Sequence, residues 1–119
     1  MILREFLKSK IHQATISKTE LYYKGSIGID KAIIKKSNIA LYEKVHVLNL
    51  NNGERIETYV IEEKENSGLI ILYGPAARRG QIGDKLCILA YALVSEDDLD
   101  KIKPSIVLLD ENNKIIKSK

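Results

Sequence analysis

"EKVHVLNLNNGERIETYVIEE", residues 43–63, decides the fold. Two alternating runs, "EKVHVLNL" and "RIETYVIEE", flank "NNG" at 51–53. An Asn-Gly pair between such runs is a strong hairpin signal, because both residues tolerate the positive φ of a tight turn. The same punctuation recurs on either side. "KIHQATISKTEL" (10–21) is rich in β-branched residues and has no helical apolar stripe, which predicts strand. "GLIILY" (68–73) is a short apolar run of the kind buried on both faces of a sheet. "KLCILAYALV" (85–94) is long enough for a helix, but its β-branched and aromatic content and the preceding turn "QIGD" decide for strand. "SIVLLD", "ENN" and "KII" predict a last hairpin, and the "KIIKSK" tail is expected to fray. Helix signals are few. Asp30 caps "DKAIIKKSN", and Ser95 precedes the acids of "SEDDLDKI". A barrel is the natural way to hide so many strand edges.

The chain has 119 residues, 45% of them hydrophobic, which suits one compact domain. Its 19 basic and 16 acidic residues are dispersed, leaving a net charge of +3. That balance favours small anionic ligands and lacks the clustered basic footprint of a nucleic-acid binder. Arg78-Arg79 reads as surface or interface charge. The single cysteine, Cys87, has no disulfide partner within the chain and sits in an apolar run, as a buried inert thiol would. His12 and His46 lack metal-ligand spacing, and His46 lies in an apolar alternation as a structural residue would. Charges interrupt "MILREFLKSKIHQ", and no apolar run is long enough for a membrane span, so a cytoplasmic protein without membrane or nucleic-acid partners is expected.

"YYKGSIGID", residues 22–30, sets a small nucleophile directly after a glycine. An isolated Gly-Ser pair is ordinarily a turn. The pair also has what self-cleavage needs. Serine Oγ can attack the preceding carbonyl and turn the amide into an ester, and glycine tolerates the strained backbone that exposes that carbonyl. A donor must stabilise the oxyanion. Elimination and hydrolysis then leave a pyruvoyl ketone, which condenses with a substrate amine and acts as an electron sink.

"KSKIH", "YKGSIGID", "NNGERIETYVI", "YGPAARRGQIGD" and "KPSIVLLDE" stand in this order along almost the whole chain. Together they resemble the aspartate 1-decarboxylase family, pyruvoyl enzymes that convert L-aspartate to β-alanine for pantothenate synthesis. The resemblance implies a mostly β fold, a small six-stranded double-psi β-barrel with short helices. It implies a homotetramer with sites between neighbouring subunits, a covalent pyruvoyl group made from Ser26 and no metal. Self-cleavage would divide the single domain, 1–119, into 1–25 and 26–119, with Gly25 ending the small fragment. Whether a maturation partner is needed is not legible.

By the same resemblance, Thr58 assists cleavage and contacts substrate, and Tyr59 is the proton donor. Gly74, Pro75 and Ala76 form the substrate loop, in which only Gly74 and Ala76 have a backbone N–H to offer. Arg55 suits the retained side-chain carboxylate, Lys10 adds charge, and His12 and Tyr23 complete the polar wall. Lys10 and His12, two apart on a strand, face the same way. Strict alternation sends Thr58 and Tyr59 to opposite faces, so a bulge, a strand end or an intersubunit site is needed to unite them. Tyr73 stands where the family has asparagine, whose amide both donates and accepts; loop geometry and cleavage efficiency are therefore expected to differ. The rival expectations are a non-catalytic β-barrel that binds anionic ligands or nucleic acid, and a family member with altered substrate or impaired processing.

Overall fold

The computed structural model describes residues 1–119. The elements are β1 (Leu3–Thr15), β2 (Lys18–Glu20), β3 (Ser26–Asp30), α1 (Lys31–Ser37), β4 (Lys44–Asn49), β5 (Arg55–Glu63) and β6 (Ile70–Tyr73). A 3-10 helix (Gly74–Arg79), β7 (Lys85–Ser95), a second 3-10 helix (Glu96–Lys101), β8 (Ser105–Leu109) and β9 (Ile115–Ser118) complete the chain. Nine strand segments thus form where the resemblance implies six; β2, β6 and β9 are short pieces of three, four and four residues. No helix is long and apolar enough to cross a membrane.

The expected hairpin is present. β4 and β5 pair antiparallel, with Val47 opposite Ile56 and His46 opposite Glu57. Asn49 Oδ1 accepts from the N–H groups of Asn51 and Asn52, and Gly53 takes a positive φ of 77°. The ambiguous 85–94 run is strand β7, paired with β1 on one side and β4 on the other. Asp30 and Ser95 cap their helices as expected. The tail departs from expectation. Rather than fraying, Ile115–Ser118 pairs with β8, and Lys119 exchanges two backbone hydrogen bonds with Ile106, of 2.8 and 3.0 Å. Without it the edge of β8 would be left unpaired.

The sheet order is β2-β6-β3-β5-β4-β7-β1-β8-β9. β1 and β2 are far apart in that order, yet only Ile16 and Ser17 separate them in the chain. The sheet must therefore curl until its ends meet. Ser17 N–H donates to the Ile70 carbonyl at 2.8 Å, and Ile16 N–H to that of Asp84 at 2.9 Å. Asn113, in the β8–β9 turn, laces the seam. Its Oδ1 accepts from Thr15 N–H at 2.7 Å, and its Nδ2 donates to the Thr15 and Gly68 carbonyls, both at 2.8 Å. The result is a small β-barrel around an isoleucine- and valine-rich core that includes Ile11, Ile27, Ile29, Ile70, Ile88, Val45 and Val60.

Every residue of β3 is buried, because β5 flanks it in parallel and β6 antiparallel. At its far end the buried Asp30 carboxylate accepts three backbone N–H groups, from Ala32, Asn66 and Gly68, at 2.8–2.9 Å. A buried carboxylate held this way satisfies its own charge and pins the strand. Ser26 stands at the other end of the same strand.

Candidate active site

Ser26 opens β3 and is 1% exposed, and its Oγ has no hydrogen-bond partner. Leaving a buried hydroxyl unpaired costs about 1–3 kcal/mol, so the atom is an exception that calls for a reason. Gly25, just before it, lines an open cleft of about 440 Å³ with Ile56, Glu57, Thr58, Tyr59, Pro75, Ala76 and Arg79. The Gly25–Ser26 peptide bond therefore passes from a solvent-reachable cleft into the barrel wall.

The loop after β6 forms one side of this cleft and is fixed at both ends. At its start, Gly74 has a φ of +66°, and a Cβ there would lie 2.8 Å from both Gly25 Cα and the Tyr23 carbonyl oxygen. Only glycine allows that approach. Pro75 follows Gly74 in the first turn of the helix, where its missing N–H does no harm. At the far end, the Arg79 carbonyl accepts from Asn49 Nδ2 at 3.2 Å and Asn52 Nδ2 at 2.9 Å. The hairpin turn read from "NNG" thus holds a wall of the site.

Thr58 and Tyr59 both line the cleft, and no bulge is needed. Residues 55–59 of β5 pair with β4 on one side, whereas β3 joins the other side only from Val60. This half of β5 is a free strand edge, and side chains from both of its faces reach around it. Thr58 is half-buried and Tyr59 is exposed, its ring 6.2 Å from that of Tyr42.

Three expected site residues, Lys10, His12 and Arg55, lie elsewhere within the chain, and Tyr23 flanks the cleft without lining it. Lys10 and His12 line a second cavity of about 270 Å³, together with Ile106, Leu108, Lys117 and Lys119. Arg55 belongs to the same surface. Strand register places Arg55, Leu48, Cys87, His12, Leu108 and Lys117 in one row across six strands, hence on one face. Cys87 is buried in that row. Burial raises its thiol pKa, while Lys10 and Arg55 act weakly in the opposite sense. Tyr23 packs its ring on Tyr73 at 4.7 Å.

The Tyr73 hydroxyl donates to Glu63 Oε2 at 2.8 Å. Burial first, and then this carboxylate, hold the phenol pKa well above its ordinary value. Two cleft residues had no legible sequence signal. Arg79 was one of two arginines after a turn, and Glu57 one of many strand acids; only the fold brings them beside Thr58. Arg79 Nη1 pairs with Glu54 at 3.0 Å.

Beside the Gly25 that precedes the unpaired Ser26 hydroxyl, the cleft thus gathers a hydroxyl, a phenol and a guanidinium, groups that can donate hydrogen bonds to a carbonyl or a carboxylate. A sequence model described as aspartate decarboxylase matches residues 2–116. The chain is 50% identical over 114 residues to a protein of Desulfotalea psychrophila, covering 96% of each chain. It is 52% identical over 112 residues to one of Coxiella burnetii, covering 94% of this chain and 100% of that one. A Cytophaga hutchinsonii protein is 48% identical over 112 residues, covering 94% of this chain and 97% of its own. Each of the three is named aspartate 1-decarboxylase. With its quoted motifs, its barrel and a match that runs nearly end to end, this chain belongs to the aspartate decarboxylase family.

Proposed function

We propose that the chain is an aspartate 1-decarboxylase that makes its own pyruvoyl group from Ser26 and converts L-aspartate to β-alanine and carbon dioxide in the cytoplasm, supplying pantothenate synthesis. The observation that carries this reading is the buried Ser26 hydroxyl, free of any partner and directly after Gly25. A serine held by hydrogen bonds would have to break them before attacking, and this one has none to break.

Maturation then follows in balanced steps. Ser26 Oγ attacks the Gly25 carbonyl carbon, and the carbon–nitrogen bond breaks to leave an ester and a free amine on residue 26. Thr58, in the same cleft as Gly25, is the donor for the oxyanion. Loss of the Ser26 Cα proton expels Gly25 as a carboxylate and leaves dehydroalanine. Water hydrolyses its imine tautomer, releasing ammonia and leaving the keto group at the head of fragment 26–119, with 1–25 as the companion fragment. The residues around Ser26 fit that group, because a cleft of about 440 Å³ lies outside the bond to be broken. When present, the ketone condenses with an amine and draws off the electrons of the breaking carbon–carbon bond.

The other residues bind, orient and move protons. Gly74 and Ala76 offer backbone N–H groups to a carboxylate, and Tyr59 returns the proton after carbon dioxide has left. Arg55 holds the retained carboxylate, with Lys10, His12 and Tyr23 around it. In a single copy, Lys10 and His12 face a cavity separate from the Gly25 cleft, which supports the reading that a neighbouring copy supplies them in a homotetramer. Exposed Tyr42, Leu93 and Tyr59 offer apolar surface for such contacts.

Intact-mass analysis of the purified protein with an aspartate assay tests the proposal. The expected result is a blocked fragment beginning at residue 26 and release of β-alanine, both lost in Ser26→Ala. A chain that stays whole and inactive, or a Ser26→Ala protein as active as the parent, overturns it.

A further inference from the structure

Residues 21–25 run between β2 and β3 without regular structure, and none of the turn, loop or side-chain hydrogen bonds involves them. Tyr22 is almost wholly exposed. Left to itself, such a segment would sample many conformations. Tyr73–Pro75 restrain it at three points. The Tyr73 ring packs on Tyr23 at 4.7 Å with a 38° tilt. Gly74 approaches so closely that a Cβ on it would lie 2.8 Å from Gly25 Cα, and Pro75 Cδ lies 3.4 Å from where a Gly25 Cβ would be.

Tyr73 is itself anchored on two sides. Its backbone pairs with Ser26 in the β3–β6 register, and its side chain is 9% exposed. Its hydroxyl is fixed by Glu63, which folds over Gly28 in the middle of β3. One residue therefore grips both sides of the Gly25–Ser26 bond, Ser26 through the sheet and Tyr23 through the ring. We propose that Tyr73 is a positioning residue for self-cleavage, and that its stack on Tyr23 holds the Gly25 carbonyl in reach of Ser26 Oγ. The inference rests on the self-cleavage reading above. Holding two reacting groups at attack distance accelerates an intramolecular step without any new chemistry. An aromatic pair supplies that restraint here, using a side chain that lacks an amide's donor and acceptor.

The test follows the appearance of fragment 26–119 by intact mass, starting from freshly made precursor of the full chain. Tyr73→Ala and Tyr23→Ala are each expected to slow cleavage about tenfold. The double variant is expected to be no slower than the slower single one, because both changes remove one stack. Tyr73→Phe keeps the ring and is expected to cleave within about threefold of the parent, a rescue that mere loss of folding stability would not produce. Tyr23 is 56% exposed, so Tyr23→Ala reports even if Tyr73→Ala fails to fold. Wild-type rates in both alanine variants, or Tyr73→Phe as slow as Tyr73→Ala, overturn the clamp while leaving self-cleavage standing. A parent chain that never cleaves overturns both.

Discussion

The Tyr73 hydroxyl reaches diagonally over β3 to Glu63, and the Glu63 carboxylate occupies the space that a side chain on Gly28 would need. A Cβ on Gly28 would lie only 2.8 Å from Glu63 Cδ. Gly28→Ala must therefore push the flexible carboxylate aside and break its bond to Tyr73, leaving the buried phenol unpaired. The expected loss of stability is about 1–2 kcal/mol. Urea denaturation measures it, and a variant as stable as the parent would show that Glu63 moves aside at no cost.

The same pair makes stability fall at high pH. Burial and then Glu63 raise the Tyr73 pKa above its ordinary value, which is about 10. A raised folded-state pKa means that the stabilising, protonated form is fully present below the unfolded value. Its contribution is lost as pH climbs above that value towards the folded one. Each pH unit in that window removes about 1.4 kcal/mol. Between pH 9 and 11 the parent should therefore lose more stability than Tyr73→Phe, which has no proton there to lose. Every other ionisable group is common to both proteins, so the difference isolates Tyr73. Parallel stability curves for the two proteins would refute the assignment.

Asn113 closes the barrel with a single side chain, 3% exposed, in a residue whose φ is +59°. It makes three hydrogen bonds to two segments that are otherwise far apart in the chain, at Thr15 and Gly68. Asn113→Ala removes all three and leaves a β-carbon in the left-handed region, where asparagine is favoured. The expected cost is about 2–4 kcal/mol. A shift in the urea midpoint corresponding to less than about 1 kcal/mol would mean that water takes over the lacing.

The elements of this fold were legible because they rest on local rules. The "NNG" turn, the Asp30 cap and the β-branched runs each specify structure within a few residues, and each appears where expected. The last hairpin was legible too, but the order of its "KSK" end was not, because Lys117–Lys119 are held only by the edge that β8 offers them. The cleft was legible only through resemblance. Gly25, Thr58 and Pro75 are separated by more than fifteen residues at each step, and nothing local says that they meet. Alternation even argued against Thr58 and Tyr59 sharing a site. It failed because β3 leaves half of β5 unpaired, a feature of sheet topology rather than of the β5 sequence. Arg79 reads in the sequence as surface or interface charge, since its place in the cleft depends on Asn49 and Asn52 holding its carbonyl.

Thr58 and Tyr59 are neighbours in one cleft, and the proposed mechanism gives them separate tasks that substitution should pull apart. Thr58 is half-buried, whereas Tyr59 is exposed and free of hydrogen bonds that would occupy its hydroxyl. Tyr59→Phe keeps the ring and removes only the acidic proton. It should leave the rate of fragment formation within about threefold of the parent while lowering decarboxylation about 10²–10⁴-fold, the range that a positioned proton donor contributes. Thr58→Val removes the hydroxyl at nearly constant volume and should slow cleavage about 10²–10³-fold, as loss of an oxyanion donor does elsewhere. Following both the 26–119 fragment and β-alanine in each variant gives four numbers. If Tyr59→Phe stops cleavage, or Thr58→Val leaves it untouched, the two roles are assigned the wrong way round, because the pair share the cleft but only the donor to the Gly25 carbonyl acts before the substrate arrives.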